Sequence, residues 1–122
     1  MRTSRFFLVL LLAGVAVALA CSKKSNPTQP GGGPTEPFDS GTFTSGVFVH
    51  TYNTAGSFSY HCKVHGSSMS GTVNCSTGAP DSNFVNIGPG GTNTFSPTTI
   101  TVKPGGYVKW TLVSGNHSVT SP

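Results

Sequence analysis

The segment YHCKVHGSSMSG, residues 60–71, holds one cysteine, two histidines and one methionine within a stretch of ten residues. Cys62, His65 and Met69 would bring a thiolate, an imidazole and a thioether to one loop. Thiolate and thioether ligands favour Cu(I), and imidazole also binds Cu(II). Zinc rarely binds methionine, and structural zinc sites prefer four Cys or His ligands. The segment therefore predicts three ligands of a copper site.

A second histidine for this site is predicted at His117, in the segment SGNHSVTSP. Two histidines and one cysteine with a long axial methionine form the blue-copper electron-transfer site. The alternatives are a buried free cysteine at Cys62 and a methionine at Met69 that only fills the core, as methionine readily does.

The remaining histidines and cysteines are expected to lie outside the site. His61 adjoins Cys62, so strand alternation points the two side chains to opposite faces. His50 lies in an alternating strand, and we expect both histidines to be surface or packing residues. Cys75, six residues after Met69, is interpreted as a cysteine that binds no metal.

Residues 38–122 predict an all-β sandwich of about seven short strands. The chain there is rich in Gly, Ser, Thr, Val and Phe, and short alternating or apolar runs are separated by turn residues. No stretch shows a helical period. Trp110, Leu112 and most phenylalanines are predicted core residues. The predicted strands are residues 47–53, 58–62, 71–75, 84–87, 99–102, 107–113 and 117–121.

Two motifs resemble the plastocyanin-like cupredoxins, the blue copper protein family. YHCKVHGSSMSGTV is similar to the copper loop of that family, and FSPTTITVKPGGYVKWTLVSGNHSVTS is similar to its first half. The resemblance implies a Greek-key β-sandwich with one type 1 copper ion bound by His117, Cys62, His65 and Met69. It also implies that electrons leave through His65, and that Ser118 and Asn116 help to hold the ligand segments in place without binding the copper.

The two motifs stand in the reverse of the family's order. The copper-loop half (38–75) precedes a linker (76–82) and the half with the lone histidine (83–122). We interpret this as a circular permutation, which is tolerated where new termini open in surface loops. A truncated or chimeric chain and an exchange of halves between two chains are the alternatives.

The N-terminal residues predict export and a lipid anchor. Residues 1–20 have a basic start, an apolar run and a small-residue end, the layout of a secretory signal. Cys21 follows directly and resembles the lipidated cysteine of bacterial lipoproteins; plain cleavage is the alternative. Residues 21–37, rich in Pro and Gly, are expected to form a flexible tether. We therefore expect a location at the cell envelope, attached to a membrane.

The charge of residues 38–122 argues against a nucleic-acid partner. Three lysines and two aspartates leave a net charge of +1 there, with no basic patch. We expect a transient redox protein partner that docks near His65, and a monomer in preference to a domain-swapped dimer. An enzyme is not expected, because copper oxidases need further histidines. A copper-scavenging or delivery module without electron transfer is the alternative function.

Overall fold

The computed structural model describes residues 34–122. The predicted signal segment, the lipidation of Cys21 and most of the predicted tether lie outside the described residues. Within residues 34–122, no helix has the length and apolar character needed to cross a membrane.

In the described part of the chain, seven strands form two sheets, which confirms the predicted β-sandwich. A turn of 3-10 helix, Pro89–Gly91, follows the fourth strand. The strands are β1 (Val47–Tyr52), β2 (Gly56–Cys62), β3 (Gly66–Cys75), β4 (Ser82–Ile87), β5 (Phe95–Ser96), β6 (Thr99–Val102) and β7 (Gly106–Leu112).

Each sheet combines strands from both halves of the described chain. The strand order is β1-β7-β4-β5 in one sheet and β2-β3-β6 in the other. β1 runs antiparallel to β7, and β3 runs parallel to β6. Residues 38–75 and 83–122 therefore share one sandwich within a single chain.

The core forms around Trp110, which is fully buried together with its neighbour on the same strand face, Leu112. Both were predicted as core residues, and this is confirmed. The Trp110 ring meets Tyr60 of the facing sheet edge-on, with centroids 5.3 Å apart. Phe48 of β1 lies 5.8 Å from it on another side. The two sheets are thus joined by aromatic packing, which adds to the burial of apolar area.

Of the six phenylalanines in residues 34–122, five belong to the core or pack against it, as predicted, and Phe84 is the exception. Phe58 and Phe95 are buried, but Phe84 is 57% exposed. Alternation along β4 turns Val85 into the core and leaves Phe84 on the outer face, opposite Lys109. The other three pack against the core while partly exposed (Phe38, Phe43, Phe48).

The last predicted strand, residues 117–121, makes isolated bridges and no regular strand. Phe43 and His117 exchange backbone hydrogen bonds of 2.9 and 3.1 Å. Asp39 and His61 each bridge to Thr120, one from either side. The segment 117–121 therefore lies between residues 39–43 and the end of β2.

Residues before Phe38 also contact the sandwich, and Glu36 does so through hydrogen bonds. Its carboxylate accepts hydrogen bonds from the backbone N–H groups of Asn53 and Thr54, at 2.8 and 2.7 Å. The last residues of the predicted tether therefore rest on the turn between β1 and β2.

The buried side chain of Ile100, on β6, allows a test of the packing between the sheets. Replacing it with alanine (Ile100→Ala) should lower the free energy of unfolding by about 2–5 kcal/mol, because a cavity replaces buried apolar contacts. Urea titration followed by Trp110 fluorescence measures the change. Val49→Ala, at a 49% exposed position on β1, serves as the control and should stay within about 0.5 kcal/mol. Equal losses in both variants would contradict the described core.

Candidate metal centre

Cys62 is the last residue of β2, at the start of the turn that leads to β3. Cys62 shares the buried strand face with Phe58 and Tyr60. The pairing register shifts here: Cys62 lies opposite Gly66, whereas the preceding His61 lies opposite Ser70. The residues between these partners, 67–69, bulge from the ladder, which opens the hairpin beside the Cys62 sulfur.

Three predicted ligands meet at this end of the sandwich. The Cys62 Sγ atom lies 3.5 Å from Nδ1 of His65 and 3.8 Å from Nδ1 of His117. The two imidazole rings are 4.8 Å apart between centroids. All three ligand atoms lie within 4.8 Å of one another, and Cys62 and His117 are buried while His65 is half-buried.

These separations suit bonds from all three residues to one metal ion. Metal bonds of about 2.3 Å to sulfur and about 2.0 Å to nitrogen, at tetrahedral to trigonal angles, put S and N about 3.5–3.7 Å apart. The two measured S···N distances lie at or close to that range. The two S···N distances therefore match those of a metal site, and the three residues together could hold a metal ion.

Met69 lies near the cluster and is 1% exposed. It occupies the bulge of β3 and points to the same buried face as Val73. The thioether also belongs to the hydrophobic core. Its position is therefore compatible with an axial ligand and with core packing.

Ser118 connects the two ligand-bearing segments. Its hydroxyl accepts a hydrogen bond of 2.8 Å from the backbone N–H of Lys63, and its own N–H points at the Cys62 sulfur, 3.4 Å away. The residue is fully buried. Asn116, predicted for a similar supporting role, is exposed and makes no side-chain hydrogen bond within residues 34–122.

The buried position of His117 favours its neutral form. Burial lowers the pKa of the His117 imidazole, His65 lowers it further, and a hydrogen bond to the Ser114 carbonyl acts in the opposite direction. A neutral imidazole has a free ring nitrogen for a metal. Because Nδ1 faces Cys62, the structure presents that nitrogen as the ligand atom.

A polar network extends from the cluster to the N-terminal part of the sandwich. The Lys63 ammonium pairs with the Asp39 carboxylate, and the Thr120 hydroxyl donates to the same carboxylate at 3.1 Å. The Lys63 hydrogen bond holds the pKa of Asp39 below its usual value, with help from the Gly41 N–H. The network ties residues 39–41 to the loop that carries Cys62 and His65.

The other histidines and Cys75 lie outside the cluster. His61 exchanges backbone hydrogen bonds with Thr120. The His50 ring packs against Phe38, with centroids 4.4 Å apart. Cys75 is buried at the end of β3 as a free thiol, and burial raises its pKa.

Gly88 and Gly115, together with the Ser114 carbonyl, contact His117 and were not predicted from the sequence. The Asp39 and Thr120 contacts also went unpredicted. Only the adjacency of Ser114 and Gly115 to His117 could have suggested a role. Gly88 lies 29 positions before His117, a separation for which no local pattern exists.

Comparison of the chain with protein-family models, with curated proteins and with solved structures gave no match. The likeness to cupredoxins therefore rests on the two motifs and on the cluster of Cys62, His65 and His117.

Replacing Ser118 with alanine tests the connection between the two segments. Ser118→Ala leaves the Lys63 N–H without its buried acceptor, which should lower the free energy of unfolding by about 1–3 kcal/mol. Chemical denaturation measures the loss. The control Ser67→Ala, at an exposed position in the bulge of β3, should change stability by less than about 0.5 kcal/mol. An unchanged Ser118→Ala protein would argue against the hydrogen bond.

Proposed function

We propose that this protein is a type 1 copper electron-transfer protein. Cys62, His65 and His117 would hold the copper ion, with Met69 as the axial ligand. The main support for the proposal is that the three donor atoms lie within 4.8 Å of one another, at the end of the sandwich where β2 ends.

The donor set favours copper over zinc. Two imidazoles, one thiolate and a nearby thioether suit copper in both of its oxidation states, whereas zinc seldom takes a thioether. When bound, copper supplies a one-electron couple between Cu(I) and Cu(II). We do not infer an enzymatic reaction, because the multicopper oxidases use further histidines that residues 38–122 do not provide.

The protein would fix the positions of the copper ligands and would provide the path by which electrons leave the copper. Ser118 joins the segment of His117 to the loop of Cys62 through two hydrogen bonds. His65 is the ligand that reaches the surface, since Cys62 and His117 are buried. We therefore place the docking site of a transient redox partner around His65. The low charge of the domain favours short-range apolar contact over long-range steering.

We further propose that the fold is a circularly permuted cupredoxin that closes within one chain. Both sheets take strands from both halves, and residues 39–43 bridge to residues 117–121. In an unpermuted chain, these two segments would be consecutive. We propose a monomer, and the support is that Cys62, His65 and His117 come together within one chain.

The proposed location is the cell envelope. It rests on the signal-like residues 1–20 and on the lipobox-like cysteine, Cys21. A lipid anchor would raise the effective concentration of the domain near a membrane redox chain.

Titration of the purified protein with Cu(II) tests the metal centre. We expect an intense blue thiolate-to-copper absorption band at one copper per chain, eluting as a monomer in size-exclusion chromatography. Cys62→Ser should abolish the band, because the thiolate is lost, whereas Cys75→Ser should retain it. A band from a dimer alone would show exchanged halves. A folded protein without the band would rule out the electron-transfer function.

Substitutions of Met69 test its role as the axial ligand. Met69→Leu should keep the blue band, because the three other ligands remain, and should raise the reduction potential, because a donor to Cu(II) is removed. Voltammetry measures the potential, and denaturation checks that the similar volume preserves stability. If Met69 only packs in the core, the potential will equal that of the unaltered protein.

A further inference from the structure

Two glycines enclose one edge of the His117 ring. A Cβ atom built on Gly115 would lie 2.5 Å from Nε2 of His117, and one built on Gly88 would lie 3.0 Å from the same atom. Contacts below 3.0 Å are essentially never made by real Cβ atoms. Any side chain at Gly115 would therefore have to displace the imidazole.

The glycines come from two loops that close on the ring from different parts of the chain. Gly88 directly follows β4, and Gly115 lies in the loop after β7. The Ser114 hydroxyl donates to the Gly88 carbonyl, which joins the loops. A Cβ on Gly88 would also lie 2.3 Å from the Ser114 carbonyl oxygen. The loops can approach this closely only where both positions lack a side chain.

The opposite edge of the ring carries the atom that faces the cysteine. Nδ1 of His117 lies 3.8 Å from the Cys62 sulfur. The Ser114 carbonyl accepts a hydrogen bond from the ring. With Nε2 closed in by the loops, Nδ1 is the ring nitrogen left to bind an ion.

We propose that Gly88 and Gly115 are positioning residues for His117: by lacking a Cβ, they let two loops seat the imidazole with Nδ1 toward Cys62. The role rests on the proposed metal centre for its functional meaning. It does not depend on the identity of the metal, since the contacts belong to the protein alone.

Backbone strain at these glycines is a competing explanation for any effect of replacing them. Two other glycines of the chain serve as controls for that strain. Gly88 and Gly115 have φ values of 67° and 87°, in the left-handed region that disfavours other residues. Gly90 and Gly105 have φ values of 64° and 84°, and a Cβ at either would meet nothing within 4 Å. Alanine therefore carries a similar backbone penalty at all four positions, and only Gly88 and Gly115 add the steric effect on His117.

The experiment compares Gly115→Ala with its matched control Gly105→Ala, and Gly88→Ala with Gly90→Ala. Co(II) is the probe, because its thiolate charge-transfer absorption reports binding at Cys62. Gly115→Ala and Gly88→Ala should weaken Co(II) binding at least about 10-fold, as loss of a group that orients a ligand does. Gly105→Ala and Gly90→Ala should stay within about twofold of the unaltered protein. Equal losses within each pair would overturn the proposal.

A measurement on the metal-free protein separates this proposal from the metal centre, and its first part uses the unaltered protein alone. Long-range ¹H–¹⁵N NMR spectra should show His117 of the unaltered protein as the neutral tautomer with the proton on Nε2. In Gly115→Ala, the ring signals of His117 should move, while in Gly105→Ala they should not. A His117 ring protonated on Nδ1 in the unaltered protein would overturn the proposal.

The experiments distinguish a failure of the proposed metal centre from a failure of the positioning role of the glycines. If the unaltered protein binds no Co(II), the proposed metal centre fails, and the metal-free spectra still decide whether the glycines position His117. If Co(II) binds and the His117 signals respond equally to Gly115→Ala and Gly105→Ala, the metal centre stands and the positioning role is wrong.

Discussion

The bridge between residues 39–43 and residues 117–121 is the contact on which the candidate site depends. His117 belongs to no strand of either sheet, and its backbone N–H and C=O both bond to Phe43. On the other side, Thr120 bonds to His61 at the end of β2. Without these two sets of hydrogen bonds, nothing in the sheets would hold the His117 imidazole beside the Cys62 sulfur.

Hydrogen bonds and close packing, more than charge, hold the ligands in place. The ion pair between Lys63 and Asp39, near the cluster, has both side chains about half exposed, and exposed pairs contribute little to stability. The buried contacts lie elsewhere. Ser118 accepts the Lys63 N–H and directs its own N–H at the Cys62 sulfur. The ligand geometry should therefore depend weakly on ionic strength.

The topology explains how segments distant in sequence reach one end of the sandwich. β3 is followed by two strands of the other sheet before the chain returns as β6 to pair with it in parallel. β4 likewise pairs in parallel with β7, three strands later. Parallel pairs require such crossover connections. The crossovers bring the loop after β4, with Gly88, and the loop after β7, with Ser114, to the His117 ring.

The sequence by itself determined the fold class and the types of ligand. Alternation along β7 predicted Trp110 on a buried face, because side chains of a strand point to opposite faces in turn. The same rule separated His61 from Cys62, but it does not say which face of a strand is inward, and Phe84 lies on the outer face of β4. Isolated bridges replace the predicted strand at residues 117–121, and their partners come from remote positions: Phe43 for His117, and Asp39 and His61 for Thr120.

Only the tertiary structure decided which residues surround His117. Its distance from Cys62, its hydrogen-bonded neighbour Ser118, and the approach of Gly88 and Gly115 all depend on how two sheets pack. The alternation of side chains between the two faces of a strand involves only neighbouring residues, so it can be inferred from a short stretch of sequence. The gap between a glycine and a ring 29 positions away is set by the summed packing of everything between them, and no local pattern encodes it.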